Sequence, residues 1–267
     1  WCWQQGCRLM WFSDTSVIYN KMVGEEYGSI VYDIEQNKIL NQYSFPIYDK
    51  TSDNKYALSL NFSRLQHFRP GYGYNGVLTE KEKSKVLKTD GIYICSFEDN
   101  SKKQLISLTD IIQIDADETF DNAYHYINHL KFAQDDKTFI FYHIWNMGAN
   151  RYTRAIVANT DGEIIKVLNN GSFMSHYSFK NSNELLIYTK IDGKEGYYLF
   201  DLQKNQVKMY LDNLNEDGHP NFIKDEKFLT DTYPDRLFKE QKLILATPNS
   251  FNIIAKVYSP SNYQKEF

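Results

Sequence analysis

Short apolar runs separated by polar turns recur along the whole chain. Between residues 129 and 170 four such runs follow one another, at 130–132, 139–142, 155–158 and 164–168. The runs are rich in aromatic and β-branched residues, and turns such as Thr160-Asp161-Gly162 separate them. Four short strands joined by polar turns predict one antiparallel blade of a β-propeller.

The same pattern returns elsewhere in the chain. His129, His176 and His219 open segments that repeat about every 40–50 residues, the length of a propeller blade. Less perfect copies open at Arg8 and Ile47. We therefore predict an all-β fold, a β-propeller of about five four-stranded antiparallel blades in a single domain that spans residues 1–267. The blades are expected to begin near residues 7, 46, 128, 175 and 218.

The ends of the chain favour a ring of more than five blades. The chain begins with Trp1 rather than methionine, and no strand is an obvious partner for closing a ring of five. We therefore expect the five blades to be a fragment of a larger propeller.

An aromatic residue stands three positions after the repeat marker in four of the five copies. We expect these side chains to pack between blades. They are Trp11, Phe132, Phe179 and Phe222, whereas the Ile47 copy has Lys50 at this position.

One insertion interrupts the second predicted blade. It covers residues 63–90 and contains the stretch Arg69-Pro-Gly-Tyr-Gly-Tyr74, in which the glycines allow sharp turns that aim the two tyrosines. Thr79-Glu-Lys-Glu82 resembles a helix capping box. A loop this long inside a compact repeat is more often functional than idle.

Charge and composition exclude several classes of function. The 30 basic and 34 acidic residues are interspersed, with a net charge of −4, so no basic surface for nucleic acid is expected. No apolar run is long enough to span a membrane, and no signal peptide is visible. The three cysteines do not form an even-numbered disulfide framework, and they are predicted to be free thiols. These features do not decide between a cytoplasmic and a periplasmic location.

Three histidines share the repeat marker position. In a propeller the first strand of each blade lines the central channel, so His129, His176 and His219 are expected to converge there. Three imidazoles could hold a divalent metal ion such as zinc or manganese. The alternative is that each histidine caps its own strand through a neighbouring backbone group.

Arginine and tyrosine side chains could bind and act on an acidic ligand near these histidines. Arg8 stands at the marker position of the first blade, and Arg69 lies in the insertion. A guanidinium group suits a carboxylate or a sulfate on a sugar. Tyr74 could stack on a sugar or act as an acid or a base, and His125 could join the histidine cluster. Structural ion pairs and plain loop anchors are the alternatives.

Several segments resemble the oligogalacturonate-lyase-like propellers, which belong with the TolB-like seven-bladed group. The segments are WQQGCRLMW, RPGYGY, NHLKF with the following FIFYH, SHYSF, DGHPNF and TDTYPDR. The resemblance implies a seven-bladed fold and metal-assisted β-elimination of a uronate-containing saccharide. By position it implies His129, His176 and His219 as metal or catalytic residues and Arg8 or Arg69 as the partner of the substrate carboxylate. The chain lacks the glutamine and two histidines that cluster in that family, so a different metal shell or a changed chemistry is expected.

The sequence thus supports two hypotheses of function. In the first, a metal and an arginine neutralise the uronate carboxylate, and a histidine or tyrosine removes the neighbouring proton. In the second, the protein is a non-catalytic propeller that binds a saccharide or a protein partner. Fold alone does not choose between them.

Overall fold

A computed structural model describes residues 2–76, 80–168, 173–224 and 226–259. These residues form five sheets, each built from four consecutive antiparallel strands. A sheet of four sequential strands is the blade of a propeller. The predicted all-β, β-propeller fold class is confirmed.

Each blade contains four strands with the following bounds. Blade 1 contains β1 (Met10–Trp11), β2 (Ser16–Val23), β3 (Glu26–Asp33) and β4 (Lys38–Tyr43). Blade 2 contains β5 (Asp49–Lys50), β6 (Tyr56–Ser59), β7 (Gly91–Ser96) and β8 (Ser101–Ser107). Blade 3 contains β9 (Tyr124–Phe132), β10 (Thr138–Met147), β11 (Asn150–Asn159) and β12 (Ile164–Leu168). Blade 4 contains β13 (Met174–Asn181), β14 (Glu184–Ile191), β15 (Lys194–Asp201) and β16 (Gln206–Leu211). Blade 5 contains β17 (Asn221–Lys224), β18 (Lys227–Asp231), β19 (Glu240–Thr247) and β20 (Ser250–Tyr258).

The chain divides into two compact units. Unit 1 is Trp1–Leu168 and contains blades 1 to 3, and unit 2 is Asn169–Phe267 and contains blades 4 and 5. Within unit 1, Ile18 and Val31 of blade 1 share a buried apolar cluster with Ala57 and Cys95 of blade 2. A similar cluster in unit 2 joins blades 4 and 5. The single domain predicted for residues 1–267 stays a prediction.

The first strands of blades 3 and 4 begin earlier than the sequence predicts. His129 and His176 therefore lie inside β9 and β13, and the pairing with β10 and β14 shifts register at each of them. Such bulges bend a strand and turn a side chain away from its regular direction. In these two blades the repeat marker therefore lies at the point where the regular pairing of the first two strands is interrupted.

The insertion of blade 2 contains the helix α1 (Phe62–Phe68), which the sequence does not predict. Asn61 caps it by accepting a hydrogen bond from the backbone N–H of Arg64. A 3-10 helix follows at Glu80–Lys83, while Thr79 of the predicted capping box lies outside the described residues. The backbone at Gly71 adopts a φ of +92°, and a Cβ atom there would overlap the indole of Trp3.

Arg64 connects the insertion to blade 3. Its side chain is 1% exposed, and its Nε lies 3.1 Å from the Asp90 carboxylate. The guanidinium also donates hydrogen bonds to four backbone carbonyls, those of Glu82, Ser84, Lys85 and His125. The backbone N–H of His125 in turn donates to the carbonyl of Lys85. The insertion therefore pairs with the start of β9 and is not an open loop.

A second buried arginine anchors the connection between blades 2 and 3. This connection contains the helix α2 (Leu108–Gln113) and a 3-10 helix at Glu118–Phe120. Arg154 is fully buried, and its guanidinium donates to the carbonyls of Ile111 and Ile114 at the end of α2. A cation at that end also interacts favourably with the helix dipole. Among the described residues, no helix is long and apolar enough to cross a membrane.

Candidate functional site

Tyr48 lies at the centre of a polar and aromatic cluster in unit 1. We call it the Tyr48 cluster, and its members are Arg8, Tyr48, Arg69, Tyr72, Asn128 and His129. The guanidinium carbon of Arg8 lies 4.1 Å from the centroid of the Tyr48 ring. The Arg8 Nε also donates to the backbone carbonyl of Tyr48 at 2.8 Å. One arginine therefore stacks on the side chain and fixes the backbone of the same residue.

The phenol oxygen of Tyr48 makes three hydrogen bonds. It accepts from the backbone N–H of His129 at 3.1 Å and from the Gln5 side-chain amide at 2.8 Å. It donates to the Asn128 side-chain oxygen at 3.0 Å. Burial raises the pKa of Tyr48, so the phenol remains a neutral donor at neutral pH. Tyr48 thereby holds the marker positions of blades 1 and 3 in place.

Arg8 and His129 share an uncommon backbone conformation. Their φ angles are 54° and 55°, in the left-handed region that bulky residues rarely adopt. Such strained residues persist only where their surroundings hold them, and they cluster at functional sites. The His129 ring is half-buried and lies edge-to-face against Tyr72 and Tyr142, with centroid distances of 6.1 and 5.4 Å.

Arg69 completes the cluster from the insertion. Its guanidinium lies 4.8 Å from the centroid of the Tyr72 ring. It also lies close to the buried Tyr126, whose pKa burial raises to about 12 while Arg69 acts in the opposite direction. Arg8 and Arg69 are both half-buried, and neither forms an ion pair with an acidic residue of the described chain. The cluster therefore presents positive charge beside tyrosine rings.

The other two catalytic candidates of unit 1 lie inside the fold. Tyr74 is 5% exposed, stacks on Phe62 at 4.6 Å and accepts a hydrogen bond from Asn20. His125 is 1% exposed and contacts the ring of His143. Burial raises the pKa of Tyr74 and lowers that of His125. The structure does not place these two side chains in the Tyr48 cluster, and the catalytic roles predicted for them stay predictions.

His125 and His143 form a buried chain of hydrogen bonds with Arg154. The Arg154 Nε–H donates to His143 Nδ1 at 3.1 Å, so the His143 proton must be on Nε2. This Nε2 lies 3.0 Å from His125 Nδ1, which therefore accepts, and His125 Nε2 donates to the Phe120 carbonyl. Burial, Arg154 and His125 all lower the pKa of His143. Both imidazoles are thus held in the neutral form.

The two marker histidines of unit 2 lie side by side. The ring centroids of His176 and His219 are 4.1 Å apart, with the ring of Tyr233 about 6 Å from each. His219 Nδ1 donates to the Asp231 carboxylate at 2.9 Å. This hydrogen bond is the main reason why the pKa of His219 is raised above its ordinary value.

A second carboxylate supports His176. Its Nδ1 lies 3.1 Å from the Ser175 hydroxyl, which donates to Asp217 at 2.5 Å. A hydroxyl that donates to the carboxylate accepts from the ring, so His176 carries its proton on Nδ1. Both neutral rings therefore have the lone pair on Nε2. A histidine whose Nδ1 is held by a carboxylate is typical of general bases and of metal ligands.

The predicted metal site is only partly assembled within one unit. His176 and His219 lie together in unit 2, whereas His129 belongs to the Tyr48 cluster of unit 1. Within the described ranges, no group of three or more His, Cys, Asp or Glu side chains is arranged to hold a metal ion. The three-histidine metal site stays a prediction. The predicted thiols are confirmed, since Cys2, Cys7 and Cys95 are free.

Sequence reasoning missed the groups that position these side chains. Tyr48 directly follows the marker Ile47, so its place in the repeat is a signal that could have found it. Asp231 comes from the end of β18, and Asp217 from the segment before β17. Their contacts depend on how the strands of blades 4 and 5 pack, which the spacing does not reveal.

Comparisons with known proteins identify the fold and no family. No protein-family model matches the chain, and no curated protein matches it in sequence. Several solved structures are similar. The tricorn protease matches with a TM-score of 0.62 at 10% identity over 93% of this chain and 26% of its own. An acylaminoacyl peptidase from Pyrococcus horikoshii matches with a TM-score of 0.55 at 11% identity over 95% of this chain and 40% of its own.

The solved structures also include TolB from Acinetobacter baumannii. It matches with a TM-score of 0.46 at 12% identity over 88% of this chain and 56% of its own. The chain thus spans about half the length of TolB and about a quarter of the tricorn protease. At these identities the similarities show the β-propeller fold alone.

Proposed function

We propose that this propeller binds an acidic saccharide of the uronate class through the Tyr48 cluster. One observation carries the proposal. Arg8 and Arg69 are half-buried beside tyrosine rings and have no acidic partner among the described residues. Buried or half-buried cations are normally paired, so an unpaired set favours an anionic ligand.

The chemistry of the cluster fits a sugar acid better than a simple anion. The Arg69 guanidinium can donate two parallel hydrogen bonds to a carboxylate in a bidentate geometry. The half-buried ring of Tyr72 lies beside His129 and offers an apolar face with a polar edge, which suits a pyranose ring. The whole chain carries a net charge of −4, so attraction of an acidic ligand depends on this local charge.

The arginine makes the first prediction. We expect Arg69→Gln to weaken the binding of trigalacturonate by about 10–100-fold, because it removes a charged hydrogen bond to the carboxylate. Isothermal titration calorimetry measures the affinity. Arg151→Gln is the matched control, because Arg151 is exposed on β11 of the same unit. Equal affinities for trigalacturonate and its methyl ester, or for the Arg69 variant and the parent, would contradict the proposal.

A second candidate function is β-elimination of a uronate-containing saccharide at the histidine pair of unit 2, and the His219–Asp231 hydrogen bond favours it. Elimination requires a base that removes the proton next to the carboxylate. Asp231 holds the Nδ1 proton of His219, which leaves Nε2 free to act as the base. Nε2 could remove the proton from the sugar carbon next to the carboxylate, and the electron pair of that C–H bond would form the double bond and expel the 4-linked oxygen. His176 and His219 could supply two ligands to the metal that the resemblance implies, and a third is not arranged with them in the described residues. The base chemistry of His219 is therefore the part that the geometry supports.

The carboxylate partner of His219 gives a second prediction. We expect Asp231→Asn to lower the pKa of His219, because it removes the hydrogen bond that favours the charged ring. A histidine-resolved NMR titration measures this pKa, and Asp212→Asn, at an exposed position in unit 2, is the control.

The elimination itself is read from the absorbance of unsaturated uronates, with and without a chelator. Its rate should rise with pH through the His219 pKa, since only the neutral ring accepts a proton. In Asp231→Asn this rise should move to lower pH. A rate that does not change with His219→Gln would exclude His219 as the base.

A further inference from the structure

A groove of about 470 Å³ lies at two turns of unit 1, and its lining shares no residue with the Tyr48 cluster. Its lining residues are Trp11, Phe12, Ser13, Asp14, Lys50 and Ser52. They are the last residues of β1 and β5 and residues of the turns that follow these two strands. Volumes of this size are typical of small-molecule sites. No group in the groove has a role in the proposed acid-binding site.

Trp11 differs from the aromatic residues at the same repeat position. Phe132 and Phe179 are buried, as expected for side chains that pack between blades, but Trp11 is 63% exposed. The prediction that Trp11 packs between blades was therefore wrong. The physical reason is that the neighbouring Phe12 takes the interior place, with its ring edge-to-face against Phe97 at 5.6 Å. The indole of Trp11 is left on the surface of the groove.

The walls of the groove are fixed by hydrogen bonds. Asn54 donates to the Phe12 carbonyl at 2.7 Å and accepts from Lys50, so it joins the two turns. The Ser13 hydroxyl bonds that of Ser16 at 2.6 Å within the first turn. In the second turn, the backbone N–H of Ser52 donates to Asp136 of blade 3 at 2.9 Å. A groove held in this way needs little ordering when a ligand binds.

Two groups beside Trp11 remain available to a ligand. Asp14 is exposed and forms no hydrogen bond or ion pair with another described residue. Lys50 has three ammonium protons and donates to Asn54 and to the Thr51 carbonyl, which leaves one donor. The charged residues of its lining are Asp14 and Lys50, one of each sign. The lining therefore has no excess charge, in contrast to the positive charge of the Tyr48 cluster.

We propose that this groove binds an uncharged pyranose unit of an oligosaccharide. The flat indole of Trp11 stacks on the C–H face of the ring, since that face is the apolar side of a sugar. The free carboxylate of Asp14 accepts from ring hydroxyls, and Lys50 donates to a ring or hydroxyl oxygen. With one charge of each sign in its lining, the groove gives a uronate no net electrostatic advantage over a neutral sugar. The site therefore differs in ligand class from the Tyr48 cluster, and neither requires the other.

The test is an NMR titration of the full chain with neutral trisaccharides. Cellotriose, maltotriose and mannotriose are added in turn, with trigalacturonate as the acidic comparison. The indole N–H signal of Trp11, assigned with Trp11→Phe, reports on the groove. We expect it to shift with at least one neutral trisaccharide. We also expect Trp11→Ala to weaken that binding by about fivefold to tenfold and Asp14→Asn to weaken it by a smaller factor. Trp3→Ala is the matched control, because the Trp3 indole is also half-exposed and does not line the groove.

The outcomes separate this site from the proposed function. Neutral saccharide binding that is lost in Trp11→Ala and kept in Arg69→Gln supports the groove, whether or not trigalacturonate binds. A Trp11 signal that no neutral trisaccharide moves overturns it. Unchanged affinity in Trp11→Ala, with thermal unfolding showing that both proteins are folded, overturns it as well. Trigalacturonate binding that depends on Arg69 alone would support the Tyr48 cluster, and it rejects the groove only when no neutral trisaccharide moves the Trp11 signal.

Discussion

Replacing Arg64 by methionine should lower the free energy of unfolding by about 3–5 kcal/mol, because it leaves the Asp90 carboxylate buried and unpaired. The side chains of this ion pair are 1% and 3% exposed. Burial already raises the pKa of Asp90 to about 6 despite the arginine. The substitution also removes the donors to four backbone carbonyls. Urea denaturation measures the change.

Two comparison variants make this result specific. Lys55→Met breaks the exposed Lys55–Asp53 ion pair and should cost less than about 1 kcal/mol. The double variant Arg64→Met/Asp90→Leu should be more stable than Arg64→Met alone, since it also removes the uncompensated charge. An Arg64 variant that is no less stable than the Lys55 control would show that this buried pair does not hold the insertion.

Lowering the pH should destabilise the protein through His143. The pKa of this histidine is well below its ordinary value in the folded state, because burial and Arg154 disfavour the charged ring. Below about pH 6.5 the unfolded chain gains a proton there that the folded chain does not. The unfolded state then binds more protons than the folded state. The free energy of unfolding therefore decreases as the pH is lowered, by up to about 1.4 kcal/mol per pH unit from this one group.

A variant that does not titrate isolates this effect. His143→Gln keeps an acceptor for Arg154 and a donor for His125, but it has no ionisable ring. Between pH 7 and pH 5 the parent should therefore lose more stability than the variant, as measured by urea denaturation at each pH. Other groups, including Asp90, whose raised pKa acts in the opposite sense, contribute equally to both proteins. Parallel stability curves would contradict the prediction.

The blades could be predicted because their pattern is local. Runs such as 139–142 place aromatic and β-branched side chains in a strand whose two faces are both covered, so hydropathy alone marks β10. The helix α1 could not be predicted in this way. It has only seven residues, and its stability comes from the buried Arg64 and from packing in the insertion. The early start of β9 was missed for a similar reason, since the polar residues His125 and Asn128 are buried there.

The sequence could predict which repeat positions contribute to the candidate site, but it could not predict the side-chain contacts made there. Equal spacing was enough to expect His176 and His219 near each other, and the structure brings their rings together. The spacing carried no information about Asp231 and Asp217, which reach the pair through tertiary packing. Nor could it show that His125, so close in sequence to His129, faces the interior. One residue of offset reverses the face of a strand, and a bulge changes that count.

The Arg64 contact changes how unit 1 is expected to unfold. In a simple repeat protein, each repeat contacts its neighbours through a generic interface and can be lost one at a time. Here a segment that belongs to blade 2 supplies the hydrogen-bond partners for the backbone of His125, the second residue of β9 in blade 3. Neither blade is complete without the other, so the two should open together in native-state hydrogen exchange, as one cooperative unit.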